Sequence, residues 1–273
     1  MTDPHYDVTG HGPVLLLIPG GAGHPMGLGP LTEVLAEHFT VVTYDPLGLA
    51  HGRLGLPVED QRPQDWSDGA RRVLEATLPE GESAYVYGTS AGGVAALDLL
   101  VRHPERLRHV VAHEPPCVGV LPDGARQQAG FGEVCDVYRA AGPAAAGVRM
   151  SALLEERAVG ELPEGQPLSR EEELSNPMAI SLAHVLRPFT SYVPEYDPSP
   201  VPEAGPSRTR LTIAAGTDSR GQLLHRTSEF LAKSLHGDFV EFPGGHLGVL
   251  QHPVPFAERL TQTLLQETGA SAR

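Results

Sequence analysis

The sequence predicts an α/β fold: a mostly parallel, doubly wound sheet interrupted by one helical insertion. Three observations carry that expectation. Short apolar runs alternate with amphipathic segments up to His113 and again from Leu211 onward, the rhythm of a parallel sheet covered on both faces. Between Cys117 and Arg208 that rhythm stops, leaving helical patches and no convincing strand. The stretch Gly88-Thr89-Ser90-Ala91-Gly92 sits where a strand gives way to a helix.

Taken in order, Tyr6 to Val8 and Val14 to Ile18 read as an opening pair of strands joined through the turn residues Gly10 to Pro13. Leu31 to His38 is a short helix and Phe39 to Tyr44 a strand, turned by Asp45-Pro46-Leu47-Gly48. Trp66 to Leu78 has helical spacing with Trp66, Ala70, Val73, Leu74 and Leu78 inward. Ser83 to Tyr87 and His109 to His113 are strands, and Val94 to Leu100 is an apolar helix. Helical patches at Gly132 to Ala141, Pro143 to Ala158 and Asn176 to Leu186 fill the insertion, which closes on Pro194, Pro198, Pro200, Pro202 and Pro206. Leu211 to Ala215, Gly221 to Leu235, Asp238 to Phe242 and Pro253 to Gln266 then restore strand, helix, strand, helix.

A chain of 273 residues is long enough for one large domain that buries about 75% of its unfolded surface. Lys and Arg number 20 against 34 Asp and Glu, a formal charge of −14 that opposes attraction to nucleic acid or anionic lipid. Cys117 and Cys135 are too few for a disulfide framework and read as reduced thiols. The first residues, Met1 to Asp7, lack the basic start and apolar run of a secretion signal, and no stretch reaches the length of a membrane span, so cytoplasmic residence is the expectation.

The chemistry centres on Ser90. A serine between glycines at a strand-to-helix turn sits in a strained conformation that only small neighbours at plus and minus two permit, and Gly88 and Gly92 supply them. A serine hydroxyl becomes a useful nucleophile when an imidazole accepts its proton, and that imidazole needs a carboxylate to fix its tautomer. His246, after Gly244-Gly245 and the last strand, is the histidine whose position suits the role. Pro19-Gly20-Gly21-Ala22-Gly23 ends a central strand and can point backbone N–H groups outward; it lacks the Lys-Ser/Thr of a phosphate loop and the third glycine of a dinucleotide fingerprint, where Met26 stands. His109 and His113 lack a third ligand for a metal site, and no pattern calls for a metal, nucleotide or flavin cofactor.

Together the Gly88 to Gly92 elbow, the Pro19-Gly20-Gly21 turn, Asp45 after the third strand and the Gly244-Gly245-His246 loop resemble the α/β-hydrolase superfamily, over nearly the whole chain from Tyr6 to Gln266. The wording His113-Glu114-Pro115-Pro116, Gly216 to Gly221 and Phe242 to His246 is similar to a group of largely uncharacterised actinobacterial members. The resemblance implies an α/β-hydrolase fold with a helical cap inserted after the sixth strand, the core being 1–116 and 209–273 and the cap 117–208. It further implies an oxyanion hole from the Gly21 and Ala91 amides. For the acid it offers two places: Asp218, one residue short of the usual position after the strand that follows the cap, and Glu114, at the end of the strand before it. Glu114 is favoured, being held between a strand end and two rigid prolines. Asp45-Pro46-Leu47-Gly48-Leu49-Ala50 departs from relatives in lacking their arginine and serine. A serine at the elbow excludes dehalogenase and epoxide-hydrolase chemistry, which use an aspartate there.

The function expected is hydrolysis of a carboxylic ester or thioester of a small, largely apolar substrate. Phe131, Tyr138, Met150, Met178, Phe189, Tyr192 and Tyr196 are its candidate pocket wall or else the insertion's own core. A carbon–carbon bond hydrolase, a cofactor-free peroxidase, an acyltransferase, or a non-catalytic small-ligand-binding protein of the same fold are the alternatives. The sequence leaves the oligomeric state open.

Overall fold

Five consecutive apolar residues make β2 (Val14–Ile18) a strand suited to burial on both faces, and all five are buried. The computed structural model describes residues 5–22, 28–46, 56–195 and 209–266. The other strands are β1 (His5–Gly10), β3 (Thr40–Asp45), β4 (Ala84–Thr89), β5 (Leu107–His113), β6 (Arg210–Gly216) and β7 (Asp238–Phe242). They form one seven-stranded sheet of order β1-β3-β2-β4-β5-β6-β7. β1 is an exposed edge strand paired antiparallel with β3, and every other neighbouring pair is parallel.

Among the described residues the α-helices, in chain order, are α1 (Gly29–Leu35), α2 (Pro63–Thr77), α3 (Ala91–Arg102), α4 (Gly124–Leu154), α5 (Arg170–Ser175), α6 (Pro177–Ile180), α7 (Leu186–Thr190), α8 (Leu223–Ser234), α9 (Gly248–Gln251) and α10 (Pro253–Leu265). The inward stripe of α2 is the expected one, Trp66, Ala70, Val73, Leu74 and the following Leu78 all being buried. It packs with α3 and with Leu231 of α8 on one face of the sheet, while Leu31 and Leu35 of α1 and Phe256 and Leu260 of α10 cover the other. Both cysteines are buried free thiols. No helix among the described residues is long and apolar enough to cross a membrane.

Between β5 and β6 the described residues contain helices and no strand. A single antiparallel strand precedes the parallel set, so this segment follows the fifth strand of the sheet and not the sixth, correcting the expected count. The two patches expected on either side of Gly142 are both helical and meet at a break inside the span labelled α4, where Gly142 takes φ 80° and Pro143 withholds an N–H from the helix. The segment has an apolar centre of its own, including Phe131, Val134, Tyr138 and Leu182, which extends to Leu223 and Leu224 of α8. Among the described residues it is tied to the sheet domain at three places, one of them Arg226 of α8, which donates to Asp123 at 2.9 Å and to Glu156 at 2.8 Å. The Tyr192 hydroxyl donates to the buried Asp98 of α3 at 3.0 Å, where Ser67 and Arg102 also donate. Arg170 donates to the Val58 carbonyl at 3.1 Å, and His184 Nδ1 lies 3.0 Å from Asp60. Gly23, the turn residues Leu47 to Ala50, Tyr196 and the prolines at 198, 200, 202 and 206 lie outside the described residues.

Strand order places β3 on one side of β2 and β4 on the other, so connections leave the ends of β2 and β4 in opposite directions and open a crevice between them. Glycine is required at that crevice because α3 starts directly after β4 and crosses close to the end of β2. A Cβ on Gly92 would collide with the Ile18 and Pro19 carbonyls, and one on Gly88 with the Gly92 carbonyl. Gly92→Ala is therefore expected to cost at least about 1–3 kcal/mol, the usual range for overpacking, and to lower the thermal midpoint by several degrees. A midpoint equal to that of the wild type in a thermal melt would contradict this close approach.

Candidate active site

Ser90 follows β4 with φ 53° and ψ −122°. Such a conformation costs of order 1–3 kcal/mol in a residue with a side chain and persists only where the surroundings enforce it. Here the Ser90 amide donates to the His113 carbonyl at 2.9 Å, and the Ser90 carbonyl accepts from Val94 in the first turn of α3 at 3.1 Å. The Ala91 amide is the first of α3, so it has no acceptor within the helix and lies at the positive end of the helix dipole. Gly20 runs alongside: a Cβ built on it would stand 3.6 Å from the Ser90 Cβ. Gly21, next in that turn, lines the same cavity as Ser90.

His246 is delivered by the loop after β7. Gly244 turns that loop at φ 80°, and Gly216 at the end of β6 lets it approach, since a Cβ on Gly216 would strike the Gly244 carbonyl and Gly245 Cα. The imidazole Nδ1 lies 2.8 Å from Glu114 Oε2. A carboxylate only accepts, so Nδ1 carries the proton and Nε2 is left as the acceptor of the neutral ring. The other carboxylate oxygen, Oε1, accepts from the Gly216 amide at 2.9 Å, and the Glu114 amide donates to the Ala214 carbonyl at the same distance. Glu114 itself has φ 44° and no solvent exposure. Burial pushes its carboxyl pKa up, but the hydrogen bond and charge of His246, with a smaller contribution from His113, outweigh burial and bring it from 4.5 to about 2.

Asp218, the alternative acid, is not brought to His246. It is exposed, in the turn after β6, its carboxylate taking the Thr217 hydroxyl at 3.3 Å and its amide donating to the Gly244 carbonyl at 2.9 Å. The residue buried beneath the histidine loop is Ser219, three beyond Gly216. Among the described residues, the carboxylate bonded to His246 is Glu114. His113 does not line the cavity: it is buried edge-on to Phe256, 5.2 Å between ring centres, and desolvation lowers its pKa to about 4, so it is neutral at pH 7. His109, four residues earlier, instead meets the Thr212 hydroxyl at 2.8 Å. Among the described residues, no three or more His, Cys, Asp or Glu are grouped to hold a metal ion.

Ser90, His246, Gly20 and Gly21 border a cavity of about 700 Å³. Three of the aromatic and methionine residues expected at its wall are there, Phe131, Met150 and Met178. The others serve elsewhere: Tyr138 hydrogen-bonds Glu173 at 2.9 Å, Phe189 packs on Trp66, and Tyr192 holds Asp98. Leu28, Leu154, Leu186 and Leu224 add to the apolar lining, and Asp218 and Gln222 stand at its polar side. Of these, Asp218 was a candidate from the sequence; the four leucines, Gln222 and Ser181 carried no signal there.

A family model described as "Alpha/beta hydrolase family" matches residues 15–259. An uncharacterised hydrolase of Bacillus subtilis, YraK, is 30% identical over 270 residues, covering 96% of this chain and 93% of its own. Among solved structures, a thermophilic esterase from Thermogutta terrifontis superposes with a TM-score of 0.65 at 16% identity, covering 96% of this chain and 92% of that one. An enol-lactonase from Burkholderia xenovorans superposes with a TM-score of 0.53 at 18% identity, covering 96% of both. With the sheet, the elbow and the histidine loop in place, the match across residues 15–259 means that this chain belongs to the α/β-hydrolase family.

Proposed function

We propose that this protein is a serine hydrolase that cleaves a carboxylic ester or thioester of a small, largely apolar substrate. The observation that carries the reading is the His246–Glu114 hydrogen bond of 2.8 Å beside the cavity that the strained Ser90 also lines. Ser90 Oγ attacks the carbonyl carbon as His246 Nε2 takes its proton, and Glu114 holds the ring in the tautomer that leaves Nε2 free. The carbonyl electron pair moves to oxygen, and the Gly21 and Ala91 amides receive the resulting oxyanion. Collapse expels the alcohol or thiol with the proton from His246; water, activated by the same nitrogen, then releases the acid. The segment 117–208 acts as a cap whose Phe131, Met150 and Met178 close the acyl side of the cavity. Among the described residues the lining includes two carboxylates, Asp218 and Glu155, and no lysine or arginine, which suits an uncharged acyl group. The names of the esterase and lactonase neighbours support the same reaction class.

Two outcomes are expected. A fluorophosphonate probe, followed by intact mass, adds one adduct to the wild type and none to Ser90→Ala, and reacts with His246→Ala slower by a factor of at least about 100; an unlabelled, folded wild type would contradict the reading. The second concerns acid stability. Because the Glu114 carboxyl is depressed from 4.5 to about 2, its contribution is fully present above pH 4.5 and is lost as pH falls toward about 2. The stability difference between wild type and Glu114→Gln, read by denaturant titration, therefore shrinks across that window, by up to about 3 kcal/mol. Parallel curves would contradict the depressed Glu114 carboxyl.

A further inference from the structure

Ser181 opens a single π-helical turn, Ser181–Val185, between α6 and α7, and its neighbours Leu182 and Val185 are buried. Such a turn carries one residue more than an α-helical turn and re-aims the side chains next to it; it recurs at functional sites. Here the Ser181 side chain lines the cavity and lies directly against Gly21, so that a Cβ on Gly21 would collide with the Ser181 hydroxyl and stand 3.6 Å from Val185 Cγ1. The serine is half-buried and belongs to the segment between β5 and β6, 91 positions beyond Ser90. Neither its exposure nor helix formation accounts for a hydroxyl at that spot, since α6 already begins with its own cap from Asn176.

Resting on the serine-hydrolase reading, we propose that Ser181 is a catalytic residue whose hydroxyl is a third hydrogen-bond donor to the oxyanion, supplied from the cap. When the Ser90 oxygen bonds to the carbonyl carbon, the π pair of the C=O moves onto oxygen, the Ser90 proton goes to His246, and Ser181 keeps its own proton while donating a hydrogen bond to that oxygen. On collapse the pair returns to re-form C=O, the leaving oxygen or sulfur takes the proton from His246, and the Ser181 bond weakens. The interaction is thus stronger in the tetrahedral state than in the substrate, which is the condition for raising kcat. It also makes the oxyanion site complete only when the cap is seated over Gly21.

The test compares wild type, Ser181→Ala and Ser181→Thr on a p-nitrophenyl alkanoate and on an alkyl trifluoromethyl ketone, which forms the tetrahedral adduct. Removing one oxyanion donor costs about 100- to 1,000-fold where the donor is fixed; for a side-chain hydroxyl the expected loss is about 10- to 100-fold. Ser181→Ala is expected to lose that factor in both kcat and ketone affinity, with KM within about threefold of wild type, and Ser181→Thr, which keeps the hydroxyl, to recover most of it. A purely structural serine would alter KM or the thermal midpoint and leave the ratio of ketone affinity to KM unchanged; that result, or an alanine variant equal to wild type, overturns the proposal. A wild type that neither turns over the ester nor binds the ketone would show a different failure, that of the serine-hydrolase reading itself, and would overturn this inference with it.

Discussion

A buried carboxylate is expensive, and the site is arranged around making Glu114 tolerable. Taking such a charge out of water costs several kcal/mol unless hydrogen bonds and an opposite charge replace its hydration. Each oxygen has a partner from a different element: Gly216 of β6 for one, His246 of the loop after β7 for the other. The carboxylate thereby fixes the relative positions of three strand ends. Removing it would leave the Nδ1 of a partly buried imidazole without its acceptor, so the same contact bears on stability and on the ring's tautomer.

Topology explains why these groups can meet at all. Parallel strands send their carboxyl ends to one edge of the sheet, and the reversal of order between β3, β2 and β4 leaves a crevice there. The Gly20-Gly21 turn follows β2, Ser90 follows β4, Glu114 follows β5 and His246 follows β7, so four separate strands each contribute one part. The close approaches at Gly88, Gly92 and Gly216 keep those parts within reach of one another. The remaining wall comes from the segment between β5 and β6, held to the sheet by Asp98–Tyr192 on one side and by Arg170 and His184 on the other.

What the sequence made legible follows the range over which its signals act. Strands and helices were readable because their periodicity is local, and the elbow was readable because Gly88 and Gly92 answer a steric demand two residues away. For the acid the resemblance offered both the loop after β6 and the end of β5, and the prolines after Glu114 favoured the latter; the bond that holds its carboxylate, however, joins strand neighbours 102 residues apart, as in Gly216–Glu114. The pocket wall was half legible: Phe131, Met150 and Met178 reach the cavity, whereas Phe189 and Tyr192 face the sheet domain. Nothing in a run of helical residues says which of two apolar neighbours a side chain will face. By contrast, the break at Gly142 was legible, because a glycine followed by a proline acts locally.

The account's central claim is that Glu114, reaching from the end of β5, orients His246 for Ser90. The most direct measurement is kcat for ester hydrolysis by Glu114→Gln and Asp218→Asn, each beside wild type under conditions where all three are folded. The account predicts a fall of about 1,000- to 10,000-fold for Glu114→Gln, the scale seen when a triad acid loses its charge, and a value within about threefold of wild type for Asp218→Asn. A steep fall confined to Asp218→Asn, with Glu114→Gln retaining wild-type turnover, would contradict it.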